Sequence, residues 1–369
     1  ISLAKLSCLI GLNGSGKSTV LQFIDFLSQL VRGDIKGWLD ERKWKSADLR
    51  SKISKRFRFS FTVAFVDDEN QPLGRWTALY SPSLGRCRGE TFDFASCSLS
   101  TTKRTVVISD LPTRQDKEFE ITFDYTGSIL SALKESILPP CILECKRFIE
   151  KIKSLDLLAP ERLRQRTRES SGTLGLGGQN LASFIHEMDI QKRRELLDKL
   201  KSVYPQLQSI QSKSIRSGWK QLGVVESFDS NGASFTIATE ARHMNDGMLR
   251  LIAILAELQS DNCFLLFDEI ENGINPELVE FVIDQLVNAE QQVLVTTHSP
   301  MILNYLDDNV ATRGVIYLYK TKAGHTKSIP FFSIPSLAEK LTMMGPGEVF
   351  VDTDLKGLAD EIELLAEVE

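Results

Sequence analysis

Several patterns are absent from this chain of 369 residues, and each absence excludes a class of protein. No apolar run reaches the length of about eighteen residues that a membrane-spanning helix needs, so we predict none. No charged-then-apolar segment opens the chain, so we predict no secretory signal. Internal repeats and low-complexity segments are absent too. The chain starts at Ile1, shortly before its first motif, and we expect a short strand to precede it in the full protein.

Cysteine and histidine are scarce, with six and four residues respectively. The cysteines form no CxxC pair and have no zinc-ligand spacing with the histidines. Cys141 and Cys145 are about one helical turn apart, which is typical of packing rather than of metal binding. This usage favours a reduced, cytoplasmic compartment. The net charge of −5 argues against a generally basic surface that coats nucleic acid.

A glycine-rich loop follows the first predicted strand. Gly11–Thr19 reads GLNGSGKST and lies between the apolar run 6–10 and a helical pattern. Glycines allow successive N–H groups to turn inward around an anion, and the helix adds the positive end of its dipole. Lys17 supplies a charge for the β- and γ-phosphates, and the Ser18 hydroxyl is a magnesium ligand. The sequence therefore predicts a nucleoside triphosphate site. The predicted contacts are Asn13, Gly14, Ser15, Gly16, Lys17, Ser18 and Thr19.

Two acidic residues follow a second buried strand. Phe264–Phe267 is an apolar run, and Asp268 and Glu269 come directly after it. At the end of a strand beside the phosphate-binding loop, Asp268 can hold a magnesium ion, and Glu269 can orient and deprotonate the attacking water. The alternative is an ordinary strand followed by an acidic turn, and the upstream loop argues against it.

Two further polar motifs are less specific. His298 follows the apolar strand 293–295, where a histidine either hydrogen-bonds a γ-phosphate or has a structural role. One helix and one strand fit between Glu269 and His298, which places His298 on the next parallel strand. Asn245–Gly247 starts a helix, and there it forms either an anion site or a simple helix cap.

The order of predicted elements indicates one composite α/β domain with a parallel core sheet. Residues 1–127 hold the phosphate-binding loop and an antiparallel β lobe, 128–260 a helical lobe, and 261–369 the part that completes the core sheet. The predicted strands of the β lobe are 57–67, 74–81, 104–109 and 119–125, with turns at 67–70 and 110–115 between them.

Together these motifs resemble the ABC-type ATPase head, in particular its soluble SMC/RecF-like branch. That branch includes the OLD-family nuclease ATPases and many anti-phage ATPases. The resemblance covers essentially the whole chain and is strongest at Gly11–Thr19, Phe264–Asn275 and Thr296–Pro300. It is weaker at Asn245–Arg250, because Asn245 replaces the serine that the family usually has. The resemblance implies a P-loop fold, ATP and Mg²⁺ as ligands, and Mg-dependent ATP hydrolysis.

Such heads bind ATP between the loop of one protomer and the signature helix of another. The resemblance therefore implies a head-to-tail homodimer or a higher even-numbered assembly. It also implies that Lys17, Ser18 and Asp268 hold ATP and magnesium, that Glu269 is the general base, and that His298 reads the γ-phosphate. The residues that would close the partner's site are Asn245, Asp246 and Gly247.

Other stretches carry weaker signals. Asn275 lies where the family has its dimer-contacting loop, and Gln165 is our candidate for its lobe-joining glutamine. Leu176–Gln179 mimics a transporter signature but lies far from Asp268, so we interpret it as a connector with Asn180 as the next helix cap. The basic residues between 42 and 58 and between 162 and 168 form either a DNA-backbone surface or a solvated helix face.

Our leading hypothesis is an ATPase whose ATP-driven dimerisation controls a nucleic-acid process, either anti-phage defence or RecF-like DNA repair. No nuclease constellation follows His298, so we expect any nuclease-type effector to be a separate protein. One alternative is an ATP-binding scaffold with little turnover. Another is the nucleotide-binding subunit of a membrane transporter, against which the long β insertion argues.

Overall fold

The computed structural model describes residues 1–51, 53–54, 56–67, 69–110, 115–155, 158–168, 172–230, 233–358 and 362, except for the side chain of Gln115. The strands of this part are, in chain order, β1 (Leu6–Ile10), β2 (Phe59–Val66), β3 (Pro72–Ser81), β4 (Arg86–Phe94), β5 (Cys97–Thr101), β6 (Thr105–Asp110), β7 (Gln115–Glu120), β8 (Ile152–Leu155), β9 (Leu207–Ser214), β10 (Lys220–Ser230), β11 (Ala233–Glu240), β12 (Phe264–Phe267), β13 (Gln292–Thr296), β14 (Val315–Lys320) and β15 (Thr326–Pro330). The α-helices are α1 (Lys17–Arg32), α2 (Ile35–Glu41), α3 (Pro140–Glu150), α4 (Pro160–Leu163), α5 (Leu181–Glu187), α6 (Ile190–Val203), α7 (Asp246–Glu257), α8 (Pro276–Val287), α9 (Pro300–Asn304), α10 (Asp308–Gly314), α11 (Pro335–Leu341) and α12 (Pro346–Val351).

The chain divides into two compact units. The core unit comprises Ile1–Leu21 and Lys153–Glu369, and the inserted unit comprises Gln22–Ile152. The three-part division that the sequence suggests, with boundaries near residues 127 and 260, stays a prediction.

A six-stranded sheet in the order β15-β14-β1-β13-β12-β8 forms the centre of the core unit. Strand β1 pairs in parallel with both β13 and β14, and β12 pairs in parallel with β13. All five residues of β1 are buried, as are all four of β12, because strands of a parallel sheet are covered on both faces. The C-terminal third therefore completes the sheet that β1 begins, and the predicted α/β fold is confirmed.

Helix α7 is buried around most of its circumference. Its residues Leu249, Leu251, Ile252 and Leu255 have no exposed surface. Each such side chain contributes about 1.5–3 kcal/mol when it leaves water. This packing holds the helix rigidly, so its first residues keep a defined position in the core unit.

The antiparallel strands β9, β10 and β11 form a second sheet of the core unit. Helices α5 and α6 belong to the predicted helical lobe, but the chain breaks between them at Met188 and Asp189. The Asp189 side chain starts α6 by accepting a hydrogen bond from the Gln191 N–H group (2.7 Å). Asn180 precedes α5 as predicted, but its side chain does not cap the helix and instead accepts from the Thr167 hydroxyl (3.3 Å).

The inserted unit contains a six-stranded antiparallel sheet in sequential order from β2 to β7. Strands β2, β3 and β6 lie close to predicted strands, whereas β4 and β5 were not predicted. The buried face of the sheet carries aromatic side chains, among them Trp76, Tyr80 and Phe92, which are fully buried. The predicted turn at 110–115 falls largely outside the described residues.

The cysteines differ from the sequence expectation at one point. A disulfide joins Cys97 in β5 to Cys141 in α3, so these two are not the free thiols that a reduced compartment implies. The other four cysteines are free, and three of them are buried. In the described part of the chain, no helix has the length and apolar character needed to cross a membrane.

Candidate nucleotide site

The glycine-rich loop connects β1 to α1 in the core unit, as the sequence predicts. Gly11 and Gly16 have φ values of +143° and +109°, which side chains rarely permit. A Cβ atom at Gly11 would collide with the Leu318 carbonyl oxygen of β14, and one at Gly16 would meet the Thr326 hydroxyl of β15. The β14–β15 hairpin therefore packs directly against the loop and requires glycine at both positions.

Lys17 and Ser15 face the interior of this loop. The Lys17 ammonium donates hydrogen bonds to the carbonyl oxygens of Gly11 (2.9 Å) and Leu12 (3.3 Å). Burial lowers the Lys17 pKa, while the carboxylates of Asp268, Glu269 and Glu271 act in the opposite direction. Within the described residues, the buried Ser15 hydroxyl oxygen has no hydrogen-bond partner. The loop thus presents a positive charge and an unsatisfied hydroxyl, as an anion-binding loop should.

The acidic pair lies at the carboxyl end of β12, and the strand order brings Thr296 beside it. Strand β13 lies between β1 and β12, and Thr296 is its last residue. The Thr296 hydroxyl donates to Asp268 Oδ1 (2.5 Å), and the Glu269 N–H group donates to the same hydroxyl oxygen (2.8 Å). Thr296 therefore joins the two acidic residues from the neighbouring strand.

Glu269 has a left-handed backbone conformation, with φ of +47°. A residue other than glycine held there typically costs about 1–3 kcal/mol, and it persists where surrounding contacts impose it. The hydrogen bond to Thr296 is such a contact. It leaves the Glu269 side chain exposed at the end of the sheet rather than packed beneath it.

Glu271 fixes the position of His298. The His298 N–H group donates to Glu271 Oε1 (2.8 Å), while Glu271 Oε2 is buried without a partner in the described part of the chain. The imidazole is exposed. Together with burial, the Glu271 charge raises the pKa of Cys8 far above the ordinary value of a thiol. Three carboxylates, rather than the two predicted, therefore lie near the phosphate-binding loop.

The start of α7 is held by two arginines. Asn245 caps the helix, because its Oδ1 accepts from the Met248 N–H group (2.7 Å). Arg164 donates to the Met244 carbonyl (2.8 Å) and forms an ion pair with Asp246. Arg250 donates to the carbonyl oxygens of Asn272 and Leu158. The helix start and the 272–275 loop are therefore parts of one supported surface.

The match to a known family covers most of this site. The family model described as "AAA domain, putative AbiEii toxin, Type IV TA system" matches residues 6–71 and 146–304. The chain belongs to this AAA-domain family. The matched ranges contain the glycine-rich loop, the acidic pair, Thr296, His298 and the start of α7. The predicted resemblance to an ABC-type ATPase head is thus confirmed at the level of family and fold.

Several solved structures are similar to this chain at low sequence identity and with TM-scores below 0.5. The SMC head domain of Pyrococcus furiosus, solved with the C-terminal domain of ScpA, is 13% identical over 93% of this chain and 94% of its own, with a TM-score of 0.44. The SMC head of Thermotoga maritima is 9% identical over 89% and 92%, with a TM-score of 0.37. An ABC-transporter ATP-binding cassette is 13% identical over 92% and 88%, with a TM-score of 0.35. No curated protein matches the chain significantly.

The residues of this AAA-domain protein fit a nucleotide with magnesium. The loop offers Lys17 and the Ser15 hydroxyl, which has no partner among the described residues, and no atom of those residues lies within 4 Å of a Cβ built at Gly14. Among the described residues, no group of three or more His, Cys, Asp and Glu side chains is arranged to hold a metal ion alone. A magnesium ion would therefore rely on Ser18, Asp268, water and phosphate oxygens, which is how Mg²⁺ usually binds in such sites.

The structure brings some predicted residues together and leaves others apart. Strands β1, β13 and β12 are parallel neighbours, so the loop after β1 and the acids Asp268 and Glu269 after β12 lie at the same edge of the sheet, where the two carboxylates act on Lys17. In the described part, no hydrogen bond or ion pair joins Asn245–Gly247 to the glycine-rich loop. The roles of Asn13, Ser18, Thr19, His298 and Asn245–Gly247 toward a nucleotide stay predictions.

The weaker sequence signals have mixed outcomes. Arg42 is not part of a solvated or DNA-facing surface, because it is buried, pairs with Asp25 (2.7 Å) and lies over the Trp38 ring. Asn275 is exposed and precedes α8 without a side-chain cap. Gln165 lines a small cavity of about 120 Å³ beside Arg164, and its lobe-joining role stays a prediction.

Sequence reasoning missed four residues that support the site: Thr296, Glu271, Arg164 and Thr326. Thr296 and Glu271 adjoin recognised motifs, so a search for polar residues at neighbouring strand ends could have found them. Arg164 stood in a predicted basic cluster but was not connected with Asp246. The Thr326 hydroxyl donates to the Ser15 carbonyl (2.9 Å), although the two residues are 311 positions apart in the sequence. No local sequence pattern predicts such a contact.

Proposed function

We propose that this protein is a Mg-dependent ATPase whose ATP-driven, head-to-tail dimerisation controls a process linked to nucleic acid. The observation that carries the proposal is the common site of Lys17, Asp268 and Glu269, with Thr296 joining the two acids. A phosphate-binding lysine beside a metal-binding acid and a general base is the set of groups that phosphoryl transfer to water needs.

Each residue has a defined task in this reaction. Lys17 neutralises charge on the β- and γ-phosphates, and Ser18 and Asp268 would hold a magnesium ion, which would add further neutralisation when bound. Glu269 orients a water molecule and accepts its proton while the bond between the γ-phosphorus and the β-phosphate oxygen breaks. Thr296 keeps the Glu269 backbone in its left-handed conformation, so the carboxylate stays directed outward.

The surface at the start of α7 supports the dimer. Asn245 and Asp246 are exposed, whereas Gly247 packs against the Gly273 carbonyl oxygen (3.2 Å from an added Cβ). The N–H groups at a helix N-terminus suit the phosphates of an ATP bound to a second copy, and the ion pair with Arg164 offsets the negative charge of Asp246. The hydrogen bonds and the ion pair of Arg164 and Arg250 fix the backbone around this surface, so the surface is preorganised for that ligand.

The biological role that we propose is anti-phage defence with a separate effector, such as a nuclease. The family description names a toxin of a type IV TA system, and it supports a defence role and a partner protein. We place this process in the cytoplasm. RecF-like DNA repair is the second candidate for the controlled process.

An ATP-binding scaffold with little turnover is a separate candidate. It is favoured by the capping role of Asn245 and by the ion pair of Asp246, because both side chains already have partners within the chain. Steady-state turnover against a Lys17→Ala control separates the two, since equal rates would favour the scaffold.

The test of the proposed function is Glu269→Gln, with Glu280→Gln on the exposed side of α8 as the matched control. We expect Glu269→Gln to lose about 100-fold or more in turnover, because one general base contributes about that factor. It should retain ATP binding and remain dimeric with ATP in light scattering after gel filtration. A Glu269→Gln protein that binds ATP yet stays monomeric would contradict the dimer proposal.

A further inference from the structure

A second concave surface lies in the inserted unit, on the outer side of its antiparallel sheet. Two adjoining cavities of about 580 and 460 Å³ share Arg88, Gly89, Thr102 and Lys103. Together they fall in the size range of ligand sites. We call this surface the basic groove and define it by five cations: Arg58, Arg86, Arg88, Lys103 and Arg104.

The cations of the basic groove are not neutralised by the chain itself. In the described part of the molecule, none of the five forms an ion pair, and a single carboxylate, Asp124, lines the cavities. Elsewhere on the same sheet, Arg75 pairs with Asp93 (3.0 Å). The inserted unit also contains more Lys and Arg than Asp and Glu, although the whole chain has a net charge of −5. The groove is therefore a local positive region that lacks an anionic partner.

A β-bulge creates the charge separation. Arg88 pairs with Leu79 and Thr91 with Thr77, so Gly89 and Glu90 together oppose one residue of β3. Gly89 has φ of +59°, and Glu90 is turned inward, where it accepts hydrogen bonds from Ser128 (2.6 Å) and from the Ile129 N–H group (2.7 Å). The acid is thereby buried, while Arg88 stays on the groove side.

The other wall of the groove is equally well supported. The Thr102 hydroxyl oxygen accepts hydrogen bonds from the N–H groups of Arg104 (3.3 Å) and Thr105 (3.0 Å), which fixes the β5–β6 turn. Lys103 and Arg104 are presented by this turn and are exposed. Because the turn is fixed by its own side chain, the two cations keep their place at the groove.

Aromatic rings complete the surface. Phe123 is 40% exposed, and its ring centroid lies 6.4 Å from that of Tyr125. The Arg86 guanidinium lies over the Tyr125 ring, 5.1 Å from its centroid. Cations that follow a phosphate backbone, combined with an exposed ring on which a base can stack, are the features of single-stranded nucleic-acid sites. A duplex offers phosphates but hides its base faces.

We propose that the basic groove binds single-stranded nucleic acid, with phosphates on Arg58, Arg88 and Lys103 and a base stacked on Phe123. Most of the groove, including Arg86–Tyr125, lies outside the ranges that the AAA-domain family model matches, so the family match does not account for this site. The inference deepens the proposed function, on which it rests for its biological meaning, by naming its nucleic-acid surface. It requires no ATP, so its failure and that of the ATPase are distinguishable.

The experiment measures fluorescence anisotropy of a labelled oligothymidylate of about 20 nucleotides, without nucleotide, between about 50 and 200 mM salt. We expect the triple variant Arg58→Gln, Arg88→Gln, Lys103→Gln to bind about 30-fold or more weakly. Its log–log salt slope should be smaller by about 2, since each lost phosphate contact in a single strand removes about 0.7. The matched control is Arg194→Gln, Lys199→Gln, Lys201→Gln on α6, which should bind like the wild type.

Two exposed single substitutions keep the test decisive if the triple variant does not fold. Phe123→Ala should weaken binding by about 5-fold or more, because stacking of one base contributes about 1–3 kcal/mol. Lys103→Gln should reduce the salt slope without a change in melting temperature. Three results would each overturn the proposal. The groove variants could bind the oligothymidylate as tightly as the wild type does. The wild type could instead bind a duplex of the same length more tightly than the single strand, or bind a polyglutamate peptide as tightly as the single strand.

Discussion

The core unit and the inserted unit present their chemically active side chains in different ways. In the core unit these residues lie in short contiguous stretches at the ends of parallel strands, such as Gly11–Thr19 and Asp268–Glu269. In the inserted unit they come from separate parts of the chain: Arg58 precedes β2, Arg88 lies in β4, and Lys103 lies in the β5–β6 turn. Parallel strands end at one edge, so a few consecutive residues suffice for a site, whereas a sheet face draws single residues from many strands.

The hydrogen-bonded acids of the two units differ in burial, because Asp268 and Glu271 are half-buried whereas Glu90 is fully buried. In the core unit, Asp268 and Glu271 share hydrogen bonds with residues that lie beside the phosphate-binding loop. In the inserted unit, Glu90 is fully buried and holds the 128–129 segment against β4. Asp268 and Glu271 thus lie at the edge of the core sheet, beside the candidate nucleotide site, whereas Glu90 stabilises the antiparallel sheet of the inserted unit.

The largest expected effect concerns Glu90. Burial raises its pKa to about 7 despite the hydrogen bonds from Ser128 and Ile129, so the folded protein keeps the proton that an unfolded chain releases near its ordinary value of 4.5. The contribution of Glu90 to stability is therefore complete below about pH 4.5 and is lost as the pH rises to about 7, by about 3 kcal/mol. Glu90→Gln should remove this pH dependence.

Urea unfolding at several pH values, followed by tryptophan fluorescence, tests this expectation. Trp38, Trp44 and Trp76 all lie in the inserted unit, so the signal reports mainly on that unit. Glu118→Gln, an exposed position in β7, is the control. If Glu90→Gln and wild type lose stability in parallel between about pH 5 and 8, the assigned role of Glu90 is wrong.

The contrast between the units also explains what the sequence could predict. The loop, the acidic pair and the parallel sheet were predicted because each depends on a local pattern with a fixed physical reason. Strand β4 was missed because Gly89 interrupts the alternation and because Glu90, a charged residue, faces inward at the bulge. A disulfide between Cys97 and Cys141 depends on tertiary proximity, which spacing alone does not reveal.

Within the core unit, the sequence predicted the motifs but not the residues that support them. Thr296 stood inside a recognised motif, yet its function depends on β13 lying next to β12. Glu271 follows Glu269 by two residues, but its bond to the His298 N–H group requires the same strand order. Such supporting contacts cross strands, and a linear pattern does not contain them.

The second largest expected effect concerns Thr296, which we interpret as a positioning residue. Thr296→Val keeps the shape but removes the hydroxyl that joins Asp268 to the Glu269 backbone. Because a hydrogen bond to a charged group contributes about 1.5–3 kcal/mol, we expect turnover to fall about 10-fold or more while ATP affinity changes little. Thr296→Ser should restore turnover. A Thr296→Val protein with wild-type kcat would show that the neighbouring strand does not position the general base.

The smallest effect concerns the contact that is most remote in sequence. Thr326→Val removes the hydrogen bond from the β14–β15 hairpin to the Ser15 carbonyl. A neutral hydrogen bond contributes about 0.5–1.5 kcal/mol, so ATP affinity should fall about 2- to 10-fold, with kcat nearly unchanged. Thr326→Ser should bind like the wild type, and Thr342→Val, whose hydroxyl bonds to Glu339 instead, is the matched control. Equal affinity in Thr326→Val would mean that the loop holds its shape through its own glycines, and that the local sequence pattern suffices to build it.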